Sequence, residues 1–255
     1  MNYRTKPIWI YGKHTCTIAI KNLDRICYEL IITENFFKKN LEIIQCANKR
    51  NIKFKIADNN LLNSILGRNI NHQGIALKVN PILQNNTDIH HIISHNNKNS
   101  TILILDQITD VYNVGSIIRS SACFNVDAVI MSYYNSPSDN CVIAKTSSGA
   151  VDLIPIIQVT NIVQTIKTLQ KSGYWCYGFD IQAKQLLHEV NFYSKKIIVL
   201  GSEEKGIRKL VKENCDFLLK IPISQKINSL NVSNAAAIAL YYTYSQNLQN
   251  NNVHK

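Results

Sequence analysis

No two of the seven cysteines (Cys16, Cys27, Cys46, Cys123, Cys141, Cys176 and Cys215) form the C-x-x-C pair that opens a zinc site. Their odd number and wide spacing read as buried free thiols in a reducing compartment. The nine glycines (Gly12, Gly67, Gly74, Gly115, Gly149, Gly173, Gly178, Gly201 and Gly206) stand too far apart for G-x-G-x-x-G, and no P-loop occurs. A Rossmann-type dehydrogenase or methyltransferase and a P-loop ATPase are therefore disfavoured. No uninterrupted apolar run approaches the roughly 18 residues that cross a bilayer. The first residues, Met1 to Pro7, lack the apolar core of a signal peptide. The expectation is a cytoplasmic protein with no membrane contact.

What the chain does have is ordinary globular material and an uneven charge. Its 255 residues are 45% apolar and 18% charged, enough for a packed core, and the length favours two domains. The net charge is +11. Residues 1–80 hold thirteen Lys/Arg against five acids, a surplus of eight; residues 81–255 hold fifteen against twelve. Positive charge concentrated in one third of a chain attracts a polyanion, so RNA or DNA is the first partner to consider. A Lys-rich composition that serves only solubility stays open. The pairs Lys38-Lys39 and Lys49-Arg50 read as solvent-facing helix positions available to phosphates.

Apolar periodicity predicts strands at 26–32, 52–57 and 74–79, and helices at 15–21, 36–49 and 60–66, which make a small α/β module. Residues 80–100 shift to Asn, His, Ser and Lys and read as a linker carrying one short helix near 88–94. From residue 101 strands and helices alternate: strands at 101–105, 128–131, 153–158, 175–180, 197–200 and 217–221, helices at 114–124, 142–148, 162–171, 207–213 and 232–246. This pattern predicts a mainly parallel sheet covered on both faces. The linker histidines His90, His91 and His95 have no carboxylate or thiol companions and read as solvated residues, so no metal is expected.

Three segments carry candidate chemistry: Asp106 to Arg119, Gly201 to Arg208, and Ile221 through Asn228-Ser-Leu-Asn-Val-Ser-Asn234. Each starts at the C-terminal end of a predicted strand, the edge where open α/β sheets bind ligands. In order and spacing the three resemble the motifs of the SpoU (TrmH-like) family of SPOUT methyltransferases. Ile10-Tyr-Gly12 and Asn71-His-Gln-Gly-Ile75 resemble the ends of the L30e-like RNA-binding module that precedes the catalytic domain in the subgroup of 23S rRNA guanosine-2′-O-methyltransferases. The chain departs from the family at Val111, where proline is frequent, and at Glu204, where glycine is frequent.

The resemblance implies an L30e-like domain over 1–80, a linker over 81–100, and a SPOUT domain with a C-terminal trefoil knot over 101–255. It also implies a homodimer that moves a methyl group from S-adenosylmethionine to a ribose 2′-hydroxyl of RNA, a guanosine of 23S rRNA in the nearest subgroup. A tRNA ribose methyltransferase and a non-catalytic RNA-binding or ribosome-assembly protein are the alternatives. By the same resemblance Asn113, Arg119, Glu203, Ser229 and Asn231 are catalytic candidates, and Gly201, Ile221 and Leu230 hold the cofactor through backbone groups. An arginine keeps its proton at a pKa above about 12. Arg119 is therefore better suited to positioning the hydroxyl or a neighbouring phosphate than to serving as base. Bland readings stand beside these. Asn113 and Asn231 suit helix starts, Ser229 and Ser233 suit caps, and Glu203 suits an exposed loop.

Overall fold

A computed structural model describes residues 6–82, 89–95, 99–134, 136–137 and 141–252. The chain divides into two compact units, Met1–Gln84 with Ser138–Leu153, and Asn85–Pro137 with Ile154–Lys255. The first begins with β1 (Ile8–Tyr11), α1 (Lys13–Lys21), β2 (Cys27–Ile32), α2 (Glu34–Lys39), α3 (Leu41–Lys49), β3 (Lys53–Ile56), α4 (Asn59–Leu66) and β4 (Ile75–Val79). The remaining elements are α5 (Ile89–His95), β5 (Ser100–Asp106), α6 (Val111–Cys123), β6 (Ala128–Ser132), α7 (Cys141–Thr146), β7 (Ile156–Val159), α8 (Ile162–Lys171), β8 (Trp175–Phe179), β9 (Gln185–Leu186), β10 (Lys195–Gly201), α9 (Lys209–Lys212), β11 (Phe217–Lys220) and α10 (Val232–Asn252).

The first unit is built on a four-stranded sheet of order β1-β4-β2-β3. β4 pairs antiparallel with β1 and β2, and β3 joins β2 in parallel. β1 lay outside the strands expected from sequence: Ile-Trp-Ile-Tyr has no apolar–polar alternation, and pairing to β4 decides its state. The single helix expected over 36–49 is two helices. Asn40 breaks it with φ −139°, and its side-chain amide donates to the Phe36 carbonyl at 2.9 Å, closing α2 where α3 begins.

Arg50 does not face solvent as a phosphate contact. Its guanidinium reaches the C-terminal end of α1 and donates to the carbonyls of Ala19 (3.2 Å), Ile20 (2.8 Å), Asn22 (2.8 Å) and Arg25 (2.6 Å). The carbonyls of Ala19 and Ile20 are among those a helix C-terminus leaves unpaired, Asn22 and Arg25 follow the helix, and a cation suits the negative end of the dipole.

Residues 141–153 also pack in this unit, although they fall inside the span expected for the catalytic domain. Thr15 Oγ1 donates to the Ala144 carbonyl at 3.4 Å, and Asn22 Nδ2 to Asp152 Oδ1 at 3.1 Å. Gly149 has φ +89°, and a Cβ there would lie 3.1 Å from the Thr15 Cα, so helix α1 lies directly against it. Ala150–Asp152 forms a 3-10 turn, and the strand expected from residue 153 starts at Ile156.

The second unit holds a seven-stranded sheet of order β7-β6-β5-β10-β8-β11-β9, with parallel pairing throughout. All seven residues of β5 are buried, as a central parallel strand requires. Ile102 and Ile104 pack on one face with Ile92 of α5 and Ile166 and Leu169 of α8. Each fully buried aliphatic side chain of this kind contributes roughly 1.5–3 kcal/mol of transfer free energy. Through Ile92, α5 belongs to the core of this unit, although its segment was expected to be a linker. On α10 the buried Ala236, Ala239 and Leu240 serve a helix that packs on α6 and β10. It runs through the Asn-rich segment to Asn252. β9 was not foreseen, because two residues carry no period.

β5, β6 and β7 run to one side of the sheet while β8, β11 and β9 lie on the other, and β10 fills the gap beside β5. The chain therefore changes direction of build-up at β5/β10. That is the topological switch point where open α/β sheets form their ligand crevice.

Candidate active site

β5 and β10 are in register, with Asp106 paired to Gly201. Both strands thus end at the same level, and the segments leaving them start side by side. Asp110 caps α6, its Oδ1 accepting the amide protons of Tyr112 (2.7 Å) and Asn113 (2.8 Å). This sets Asn113 in the first turn with its side chain free to reach sideways. After β10, residues 202–206 fold back on themselves. Gly206 takes φ +64° and its N–H donates to the Ser202 carbonyl at 2.8 Å. A Cβ on Gly201 would stand 2.0 Å from the Gly206 carbonyl carbon, so no other residue fits there.

The three segments meet on one carboxylate oxygen. Glu203 Oε1 accepts Asn231 Nδ2 at 2.6 Å, Asn113 Nδ2 at 3.2 Å and the Val232 amide N–H at 3.1 Å. Asn231 Nδ2 donates to Asn113 Oδ1 as well, at 2.9 Å. Glu203 Oε2 has no partner among the described residues. The other end of Asn231 serves as a cap, Oδ1 accepting the Ser233 N–H at 3.0 Å. The cap reading and the site reading are therefore both true of Asn231. A carboxylate at the start of a 21-residue helix also lies at the favourable end of its dipole.

Of the sequence candidates, Asn113, Glu203 and Asn231 are joined directly. Ser229 and Leu230 lead into Asn231, Gly201 lies two residues before Glu203, and Ile221 follows β11. Ser229 is exposed, and Ile221 and Leu230 are half-buried. Among the described residues no hydrogen bond engages the Leu230 peptide, which leaves a neutral donor and acceptor for a ligand. Arg119 is exposed on α6, one turn beyond the buried Gly115, with no ion-pair partner among the described residues. The helix expected over 207–213 shrinks to Lys209–Lys212, because Arg208 is drawn back to the end of β5.

Sequence reading left Asp106 and Arg208 without a role. Asp106 is fully buried and accepts from Arg208 three times: the backbone N–H at 2.9 Å, Nε at 2.7 Å and Nη2 at 2.7 Å. Opposite charges at the first and last positions of two motifs were the available signal. Of the linker histidines only His90 has a described side chain, which is exposed. Among the described residues no three His, Cys, Asp or Glu side chains cluster as a metal site, and no helix is long and apolar enough to cross a membrane.

Comparison with known proteins agrees with this build. A family model described as RNA 2′-O ribose methyltransferase substrate binding matches residues 9–85, and one described as the SpoU rRNA Methylase family matches residues 100–241. The protein is an RNA 2′-O-ribose methyltransferase. It belongs to the SpoU rRNA methylase family. A Xylella fastidiosa (strain 9a5c) protein named 23S rRNA (guanosine-2′-O-)-methyltransferase RlmB is 32% identical over 243 residues, 94% of this chain and 97% of that protein. Its namesake in Coxiella burnetii is 34% identical over 241 residues, 93% of this chain and 95% of the relative. The crystal structure of the SpoU methyltransferase AviRb from Streptomyces viridochromogenes in complex with AdoMet superposes with a TM-score of 0.80. It covers 96% of this chain and 92% of its own at 17% identity, which establishes a shared fold.

Proposed function

We propose that the protein transfers the methyl group of S-adenosylmethionine to the 2′-hydroxyl of a guanosine in 23S rRNA, acting in the cytoplasm as a homodimer. The observation that carries this reading is the junction of Asn113, Glu203 and Asn231 at the switch point of the sheet. The rRNA guanosine assignment rests on relatives named for that activity which match nearly the whole chain, N-terminal module included. The trefoil knot belongs to the same reading.

The residues present suit the cofactor. Gly201, Ile221 and Leu230 would hold it through peptide groups, and the open Leu230 peptide in a neutral, half-buried setting matches an adenosine and an amino-acid moiety. When bound, S-adenosylmethionine supplies an activated methyl on a sulfonium, so the protein's task is alignment and proton removal.

Glu203 Oε1 is saturated by three donors, which fixes the carboxylate and leaves Oε2 to accept a ribose hydroxyl or to face a cation. Arg119 positions the hydroxyl or an adjacent phosphate, and the hydroxyl proton leaves to water. Ser229 and Asn231 line the approach. The test is incubation with labelled S-adenosylmethionine and separate rRNA and tRNA pools, followed by mapping of labelled riboses. Label on 23S guanosine ribose is the expected result. Label confined to tRNA overturns the substrate assignment, and label in neither pool overturns the activity.

A further inference from the structure

We infer that Asp106 and Arg208 are a positioning pair for this reaction, acting through Glu203; the inference rests on the function proposed above. The Asp106 carboxylate is fully buried at the end of β5, and the ion pair leaves Arg208 partly exposed, its side chain 44% accessible. Arg208 contributes both a backbone N–H and a two-pronged guanidinium contact to that one carboxylate. Three charge-assisted bonds to a desolvated partner define one geometry, unlike a mobile surface pair.

The contact closes a loop at both ends. At its start Gly201 is fixed in the sheet opposite Asp106 itself. At its end Arg208 is tied to the same Asp106. Between them Ser202 and Gly206 are bonded, so residues 203–205 project from a base anchored on every side. Glu203 is the first residue of that projection, and its Oε1 must meet donors from α6 and from the start of α10. Releasing Arg208 frees the base of the loop and lets Glu203 drift from Asn113 and Asn231. Neither Asp106 nor Arg208 is assigned any contact with donor or ribose in this reading.

The experiment is a double-mutant cycle. Asp106→Asn, Arg208→Lys, Glu203→Gln and the combinations of Glu203→Gln with each are assayed by single-turnover methyl transfer, well below their melting temperatures. Asp106→Asn and Arg208→Lys should each lower the rate about 100-fold, the scale of a loss of alignment of about 1 Å. KM for RNA and for S-adenosylmethionine should stay within about threefold. In the Glu203→Gln background the same substitutions should cost less than about threefold, because the group they position has already been disabled.

An equal penalty in both backgrounds overturns the inference, since it marks a general structural lesion. Unchanged rates in the single variants also overturn it. Arg208→Lys keeps the charge and the backbone contact, so it provides the readout if Asp106→Asn fails to fold. A wild-type protein that transfers no methyl group is a different result and strikes the proposed function instead.

Discussion

Asn231 donates to Glu203 across 2.6 Å, a hydrogen bond between residues 28 positions apart that brings the third polar segment onto the second. Because the same amide nitrogen reaches Asn113, the bond also binds the first segment. Replacing Glu203 by alanine removes the common acceptor and leaves two amides and the Val232 N–H without it. Methyl transfer should fall by about 10²–10³-fold, with a stability loss of about 1 kcal/mol at the start of α10. Labelled transfer assays and thermal unfolding measure the two effects.

Arg119 differs in kind, being exposed and free of ion pairs among the described residues, so its loss should leave the fold intact. Arg119→Ala should reduce turnover about 10³-fold while S-adenosylmethionine binding, followed by calorimetry, stays within about threefold. A parallel loss of cofactor affinity would assign the guanidinium to the donor instead of the ribose.

Arg50 tests the first unit. Arg50→Met strips the end of α1 of its guanidinium and should cost about 2–3 kcal/mol, since hydrogen bonds to charged groups exceed neutral ones. Arg50→Lys should recover less than half, because a point charge cannot span carbonyls from Ile20 to Arg25. Amide exchange in α1 reports the change directly.

RNA affinity should depend on the exposed lysines of the same unit. Lys39, Lys49 and Lys53 are exposed and make no ion pairs among the described residues, whereas Lys38 and Lys55 are paired with Glu34 and Glu29. Changing Lys39, Lys49 and Lys53 to glutamine should reduce the slope of log K against log salt by about 2. An unchanged slope would place the phosphates elsewhere.

Lys196 gives a pH dependence. It is fully buried on β10 and donates to Asn247 Oδ1 at 2.8 Å. Burial pulls its pKa down to about 8 from the usual 10.5, against the opposing pull of Asp127. Below pH 8 both folded and unfolded chains carry the proton, and the cost of burying the charge is present in full. Between pH 8 and 10.5 the unfolded chain binds more protons, so stability rises with pH, by on the order of 3 kcal/mol in total. Lys196→Met should abolish that rise, which chemical denaturation at pH 7.5, 9 and 10 measures.

The sequence was most informative where a short period or a local rule applies. Ile162–Lys171 appears as read, and the helix expected over 114–124 and the central strand expected over 101–105 differ from their expected bounds by at most three residues at either end. It was least informative where the state of a segment depends on a distant partner. β1 is a strand because β4 pairs with it, α5 is core because Ile92 meets β5, and Arg50 is a helix cap because α1 ends beside it. The same holds at the site. Asn113, Glu203 and Asn231 were identifiable as candidates from their motifs, yet Asp106 and Arg208 were passed over, because an ion pair across 102 positions has no local pattern.

From its residues alone the chain determined two α/β modules, a basic first third and three polar segments at the ends of predicted strands, since hydrophobic period, charge and turn chemistry are written locally. Only the tertiary structure decided that β10 lies against β5, that residues 141–153 pack with the first module, and that a single oxygen of Glu203 collects its three donors. Strand order and the meeting of loops depend on packing between segments a hundred residues apart, where the free energy of burial and of satisfied polar groups selects one arrangement among many that local preferences allow.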